Sequence, residues 1–182
     1  MENTNKNLRY LAIMVLFVGI IMIGGCIGEK KEIEYSTHSG DKSTFKYPNN
    51  LEDMDPSKLG MPQLQDIKYI IKMEKNKYSF IIFVSVETER VPITENQLDL
   101  YIDDIKQGYG ITGSGGFSVI DKKIVNDDEA IVEGKAGSLH FRTKHLNCGN
   151  DKFNTLTFTS REDKWNNYED TASYVIDSFK CV

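Results

Sequence analysis

The 182-residue sequence is short of proline, cysteine, histidine and tryptophan, with four, three, three and one. So few prolines, and no glycine or serine repeat, exclude a low-complexity chain. The balance of Lys, Asn, Ile, Asp and Glu is that of a globular domain. Positive charge is also in deficit: 22 Lys and Arg against 27 Asp and Glu leave −5. A mildly acidic surface argues against nucleic acid and against electrostatic attachment to anionic lipid. Three further absences bear on chemistry. No G-x-S-x-G elbow presents a serine nucleophile beside a histidine, and Ser114 has no such setting. The stretch Gly110 to Gly116 follows a helical pattern and lacks the closing Gly-Lys-Ser/Thr of a phosphate loop, so it reads as a connector. The EF-hand spacing is missing around Asp103-Asp104 and Asp127-Asp128-Glu129, which read as a helix's polar face and a hairpin turn.

Long apolar runs are absent with one exception. Tyr10 to Gly28 carries no charge over 19 residues, is preceded by Lys6 and Arg9, and contains Ile23-Gly24-Gly25-Cys26. A basic start, an apolar centre and small residues before a cut form the three-part pattern of an export signal. The tetrapeptide resembles a lipobox at all four positions, with Gly24 in a place more often held by Ala or Ser. The expectation is a signal peptide over residues 1–25, cleavage before Cys26, and lipid on the Cys26 thiol. A diacylglycerol supplies the two chains that stable attachment requires. The alternative is an uncleaved transmembrane anchor, since about 20 apolar residues span a bilayer. Both readings place the rest of the chain on the extracytoplasmic face of a cell membrane.

Removal of residues 1–25 takes one acid (Glu2) and two bases (Lys6 and Arg9), so −5 becomes −6. The remaining chain has the length of one ordinary domain. Its other two cysteines, Cys148 and Cys181, are an even pair in an oxidising compartment, which favours a disulfide.

Residues 26–39 read as the lipidated cysteine and a short polar spacer, with an edge strand possible around Ile33 to Thr37. Residues 40–182 read as the folded domain. Lys42 to Tyr47 is a strand ended by Pro48-Asn49-Asn50, and Leu51 to Gln65 reads as an irregular loop around Pro56, Gly60 and Pro62. Asp66 to Met73 and Lys77 to Thr88 form a hairpin whose second arm is apolar on both parities, so the sheet is covered on both faces. Thr94 caps a helix with Leu98, Tyr101, Ile102 and Ile105 on one stripe. Two more hairpins follow, 117–125 with 129–136 and 138–148 with 152–160. A last helix spans Glu162 to Phe179, with Trp165, Tyr168, Ala172, Val175, Ile176 and Phe179 on its apolar face. Successive hairpins with two amphipathic helices give an α+β domain, an antiparallel sheet with helices packed on both faces.

In this order, several short motifs become familiar. Phe45, Tyr47 and Pro48 form an F-x-Y-P turn after an early strand. The chain ends in a Thr-rich strand, an acidic turn, Trp165-x-x-Tyr168 in a helix, and Asp177-Ser178-Phe179-Lys180. From about Thr37 to Cys181 the chain resembles archaeal-type prokaryotic lipoproteins with a PsbP-like domain. The resemblance implies a six- to seven-stranded antiparallel sheet flanked by helices, and no enzymatic activity. Well-known members are extrinsic subunits of a photosynthetic membrane complex, and the related Mog-type fold includes a binder of a small GTPase. It implies no residue-level site.

No cofactor is expected. His38, His140 and His145 are the histidines available to a metal. His140 and His145 lie five apart on one strand and so face opposite sides of the sheet, which reads as surface or partly buried imidazoles and no metal centre. Trp165 and Tyr168 read as core. The expected role is a non-catalytic domain, tied to the membrane through Cys26, that binds a protein partner or supports an envelope complex. The alternatives are a small-ligand or metal-ion binder, and a hydrolase with Ser or His at the base of a pocket.

Overall fold

The computed structural model describes residues 33–40, 43–54, 67–74, 79–87, 92–108, 116–149 and 152–182. Among the described residues, ten strands, two helices and a 3-10 turn follow one another as β1 (Tyr35–Ser39), β2 (Ser43–Pro48), β3 (Leu51–Met54), β4 (Ile67–Glu74), β5 (Ser79–Glu87), α1 (Glu95–Gly108), β6 (Phe117–Asn126), β7 (Glu129–Ala136), β8 (Leu139–Asn147), β9 (Lys152–Arg161), the 3-10 turn (Glu162–Lys164), α2 (Trp165–Ser178) and β10 (Lys180–Cys181). Seven strands form one sheet in the order β3-β4-β5-β9-β8-β7-β6. A second sheet of three has the order β1-β2-β10. Every pairing is antiparallel.

The two helices cover opposite faces of the large sheet. Phe141 and Leu146 lie five apart on β8, so their side chains diverge. Phe141 joins Ile93, Leu98, Ala130, Val132 and Ala136 in a core under α1. Leu146 joins Leu156, Phe158, Trp165, Ala172, Val175, Ile176 and Phe179 in a second core under α2. The amphipathic stripe of α1 is the cause of its placement: Leu98 is fully buried, with Tyr101, Ile102 and Ile105 half-buried beside it. The Thr94 hydroxyl accepts from the Gln97 N–H at 3.4 Å and so caps the helix.

The small sheet rests against α2. Phe45 of β2 meets Phe179 edge-on at 6.3 Å, the Tyr35 and Tyr174 rings lie 4.4 Å apart, and the Ser178 hydroxyl accepts from the Lys46 N–H.

Three readings change. The loop expected from Leu51 begins as a strand. Leu51 is buried in the α2-side core while Glu52 and Asp53 are exposed, so a single apolar residue anchors the strand and leaves no periodic signal in the sequence. Residues 55–65 of that loop lie outside the described residues. Within the stretch 26–39 read as spacer, the edge strand allowed around Ile33 to Thr37 forms as β1 and pairs with β2 from Tyr35↔Pro48 to Ser39↔Thr44, so the packed unit starts at Glu34 rather than at residue 40. The last helix opens as a 3-10 turn, and the chain beyond it adds the short strand β10.

Candidate functional site

Cys26, the expected lipid attachment point, and the signal segment lie outside the described residues. Cys148 and Cys181 are brought together, with Sγ atoms at bonding distance (2.08 Å) and Cα atoms 5.2 Å apart. The bridge ties the end of β8 to β10, and so joins the large sheet to the small one.

His140 and His145 face opposite sides of β8, as their spacing requires, but both are buried, which corrects the reading as surface or partly buried imidazoles. His140 stacks on Trp165 at 3.8 Å with rings nearly parallel. Its Nε2 lies 2.8 Å from Glu133 Oε1 and its Nδ1 2.8 Å from Glu162 Oε2. Register explains the clamp: Glu133 sits on the neighbouring strand β7, opposite Arg142 and two residues before Lys135, the partner of His140. The Arg142 guanidinium donates twice to Glu133 Oε2 and once to the Ser173 hydroxyl, and lies over the Trp165 ring. Lys135 pairs with the other oxygen of Glu162 at 2.6 Å. Hydrogen bonds from Lys135 and then His140 hold the Glu162 carboxyl below the usual carboxylate range. Both ring nitrogens of His140 are committed to carboxylates, so neither is free to act as a general base.

His145 lies under α1, stacked on Tyr101 at 4.9 Å, with Nδ1 3.1 Å from the Thr155 hydroxyl. Beside it Thr143 and Thr157 share a hydrogen bond of 2.9 Å in the interior. Burial pushes the imidazole pKa down to about 3, so His145 is neutral at any physiological pH. Desolvation, followed by the Asp104 charge, raises the Tyr101 hydroxyl above its ordinary value.

The acidic turn Asp127-Asp128-Glu129 borders a cleft of about 630 Å³ that Lys144, Asn147, Lys180 and Cys181 also line. Its backbone is well anchored: Asp127 O accepts from the Ile93 N–H, and Asp128 O from the Asn147 N–H. Lys144 is buried and paired with Glu129 at 2.9 Å. A second cleft, of about 490 Å³, lies between β2 and α2 along Thr44, Lys46, Tyr174 and Lys180. Asp103 and Asp104 sit on exposed turns of α1. His38 packs against Phe45 at 4.9 Å. Among the described residues, no three His, Cys, Asp or Glu converge in a metal-binding group, and no helix is long and apolar enough to cross a membrane. Trp165 and Tyr168 belong to the core and its margin.

Sequence reasoning did not single out Glu133, Arg142 or Glu162. Arg142 lies two residues beyond His140 on β8, cross-strand register brings Glu133 of β7 beside them, and the 3-10 turn after β9 delivers Glu162.

No protein-family model matches the chain, and no curated protein matches it. Solved structures do. The solution structure of cyanobacterial PsbP (CyanoP) from Synechocystis superposes with a TM-score of 0.62 at 15% identity, covering 87% of this chain and 98% of that one. The crystal structure of the Ran-binding protein Mog1p from Saccharomyces cerevisiae superposes with a TM-score of 0.55 at 8% identity, covering 82% and 96%. Likeness at such identities is a likeness of fold, and it shows that this chain folds as a PsbP-like α+β domain.

Proposed function

We propose that this chain is a lipoprotein of the extracytoplasmic face of the cell membrane, held there by lipid on Cys26, and that its domain acts by binding a partner protein rather than by catalysis. The observation that carries the location is the Cys148–Cys181 pair. Disulfides persist in oxidising compartments, so this pair supports export independently of the signal segment. Support for binding without catalysis comes from the fold and from the titratable groups. The Mog1p neighbour is by its name a Ran binder. The one histidine set among carboxylates and cations here has both nitrogens occupied, in a network closed on itself. That arrangement suits a rigid scaffold whose surface carries the activity. The sequence resemblance to PsbP-like lipoproteins points to an accessory role in an envelope complex.

Crosslinking in native membranes tests this reading. The expected result is a crosslinked adduct with a distinct membrane or envelope protein, recovered reproducibly from detergent extract. Recovery of this chain alone counts against it.

A second reading, a binder of a cation or small polar ligand, takes its support from the cleft beside Asp127, Asp128 and Glu129. A thermal-shift panel of divalent cations separates the two, since a flat response removes cations from consideration.

A further inference from the structure

The two edges of the large sheet are unlike. β3 closes one edge with four residues, whereas β6 closes the other with ten. Short edge strands resist pairing with other chains, and long ones invite it. β6 is also where exposed apolar side chains gather: Val119, Ile120 and Val125 are 38%, 51% and 43% exposed. Among the described residues nothing pairs with its outer side.

The sequence of this edge is self-complementary. Val119-Ile120-Asp121-Lys122-Lys123-Ile124-Val125 reads nearly the same in both directions about Lys122. Set against a second copy of itself in antiparallel register, Val119 meets Val125, Ile120 meets Ile124, and Asp121 meets Lys123. Each pairing occurs twice about the two-fold axis, and opposite charges or apolar groups directly across a ladder are the favourable pairs. Lys122 alone meets its own copy. Its ammonium is already neutralised by α1 of the same chain, at 3.1 Å from Glu95 and 2.9 Å from Asp99. Those contacts also place Lys122 on the α1 face, so Asp121 and Lys123 share the other face and pair there without crossing it.

The strand has two irregularities in its pairing with β7, between Val119 and Asp121 and between Ile124 and Asn126. Bulges at an edge limit continuous pairing. Here they flank Asp121 to Ile124, so the regular ladder available to a partner is carried by the Asp121–Lys123 pairs about Lys122, and the Val119–Val125 and Ile120–Ile124 pairings are side-chain contacts at the bulges on either side of it. A two-fold contact uses the same strand on both copies and leaves none to propagate, so it closes as a dimer.

From this complementarity we infer that two copies of the chain associate through β6, antiparallel about Lys122, joining their large sheets edge to edge. Two tests use the full chain in its membrane. Under mild oxidation Lys122→Cys yields a covalent dimer, because residues across the axis have Cα separations that a disulfide can span. Ser118→Cys does not, because two copies of that residue lie far apart in this register. In detergent, Asp121→Lys and Lys123→Asp each weaken self-association by about tenfold or more. The double variant D121K/K123D restores it by reversing both charges of the pair. All four positions are exposed, so the fold is retained. A monomeric wild-type chain, equal crosslinking at 118 and 122, or a dimer indifferent to both single charge changes overturns the proposal.

Discussion

His145 makes the stability of this domain depend on acidity. It is buried and neutral in the folded state, with its pKa pushed down to about 3, while the unfolded chain takes up a proton near the ordinary value of 6.5. Between those values the unfolded state binds the extra proton, so stability rises with pH and is lost as pH falls from 6.5 toward 3. Each pH unit in that window costs about 1.4 kcal/mol. Urea denaturation at pH 6.5 and pH 4.5 therefore separates wild type from His145→Gln: the variant escapes an acid loss of roughly 2.5 kcal/mol that the wild type suffers. Equal losses in both chains overturn the assignment. Glu162, held low by Lys135 and His140, adds to the wild-type acid loss in the same direction and is common to both chains. The opposed faces of His140 and His145 are legible from their spacing of five on a strand. That one would be clamped by two carboxylates, and the other sealed under Tyr101, is not legible, because those neighbours come from other elements through register and packing.

At the scale of elements, the sheet leaves little slack where β6, β7 and β8 meet. Gly134 of β7 lies beneath the Phe141 ring, which stacks on Phe117 at 5.7 Å. A Cβ at Gly134 would stand 2.5 Å from the Ser118 carbonyl oxygen and 2.7 Å from Phe141 Cζ. One of those atoms is backbone, so Gly134→Ala must move the strand as well as the ring. The expected cost is about 1–3 kcal/mol, as for other overpacked interiors, read from the urea midpoint. A change below about 0.5 kcal/mol would mean that the bulge at Val119/Asp121 absorbs the methyl group. The C-terminal strand β10 behaves differently. It is exposed and two residues long, and pairing to β2 and the bridge to Cys148 hold it. The bridged residues are 33 apart in sequence, so replacing both cysteines by serine costs about 3–4 kcal/mol in the chain-entropy model. Amide exchange should then rise first at Ser43 and Thr44, the β2 partners of β10. Helix α1 and the hairpin arms were legible because capping and periodicity are local signals. β3 and β10 were not, because a short strand takes its identity from the neighbour it pairs with.

At the scale of the whole molecule, the domain has an apolar core of its own on each face of its large sheet. Its net charge beyond residue 25 is acidic, so its surface offers no general attraction to anionic lipid. Membrane attachment, as proposed above, would rest on the segment before residue 27, and there a lipid anchor and a retained transmembrane segment predict different molecules. If Cys26 carries diacylglycerol, the mature chain starts at that residue. Cys26→Ser blocks both modification and cleavage, so the variant keeps Met1 and migrates larger than the wild type by the length of the signal. If the apolar run simply remains as an anchor, wild type and variant have the same size and both begin at Met1. Membrane fractionation alone cannot separate these cases, because the uncleaved variant is still held by its apolar run. Intact-mass measurement of the two chains does separate them. A lipid-bearing wild type beginning at Cys26, beside an unmodified full-length Cys26→Ser chain, is the expected outcome. Both chains should stay with the membrane in high salt, since salt screens charge but leaves apolar burial intact.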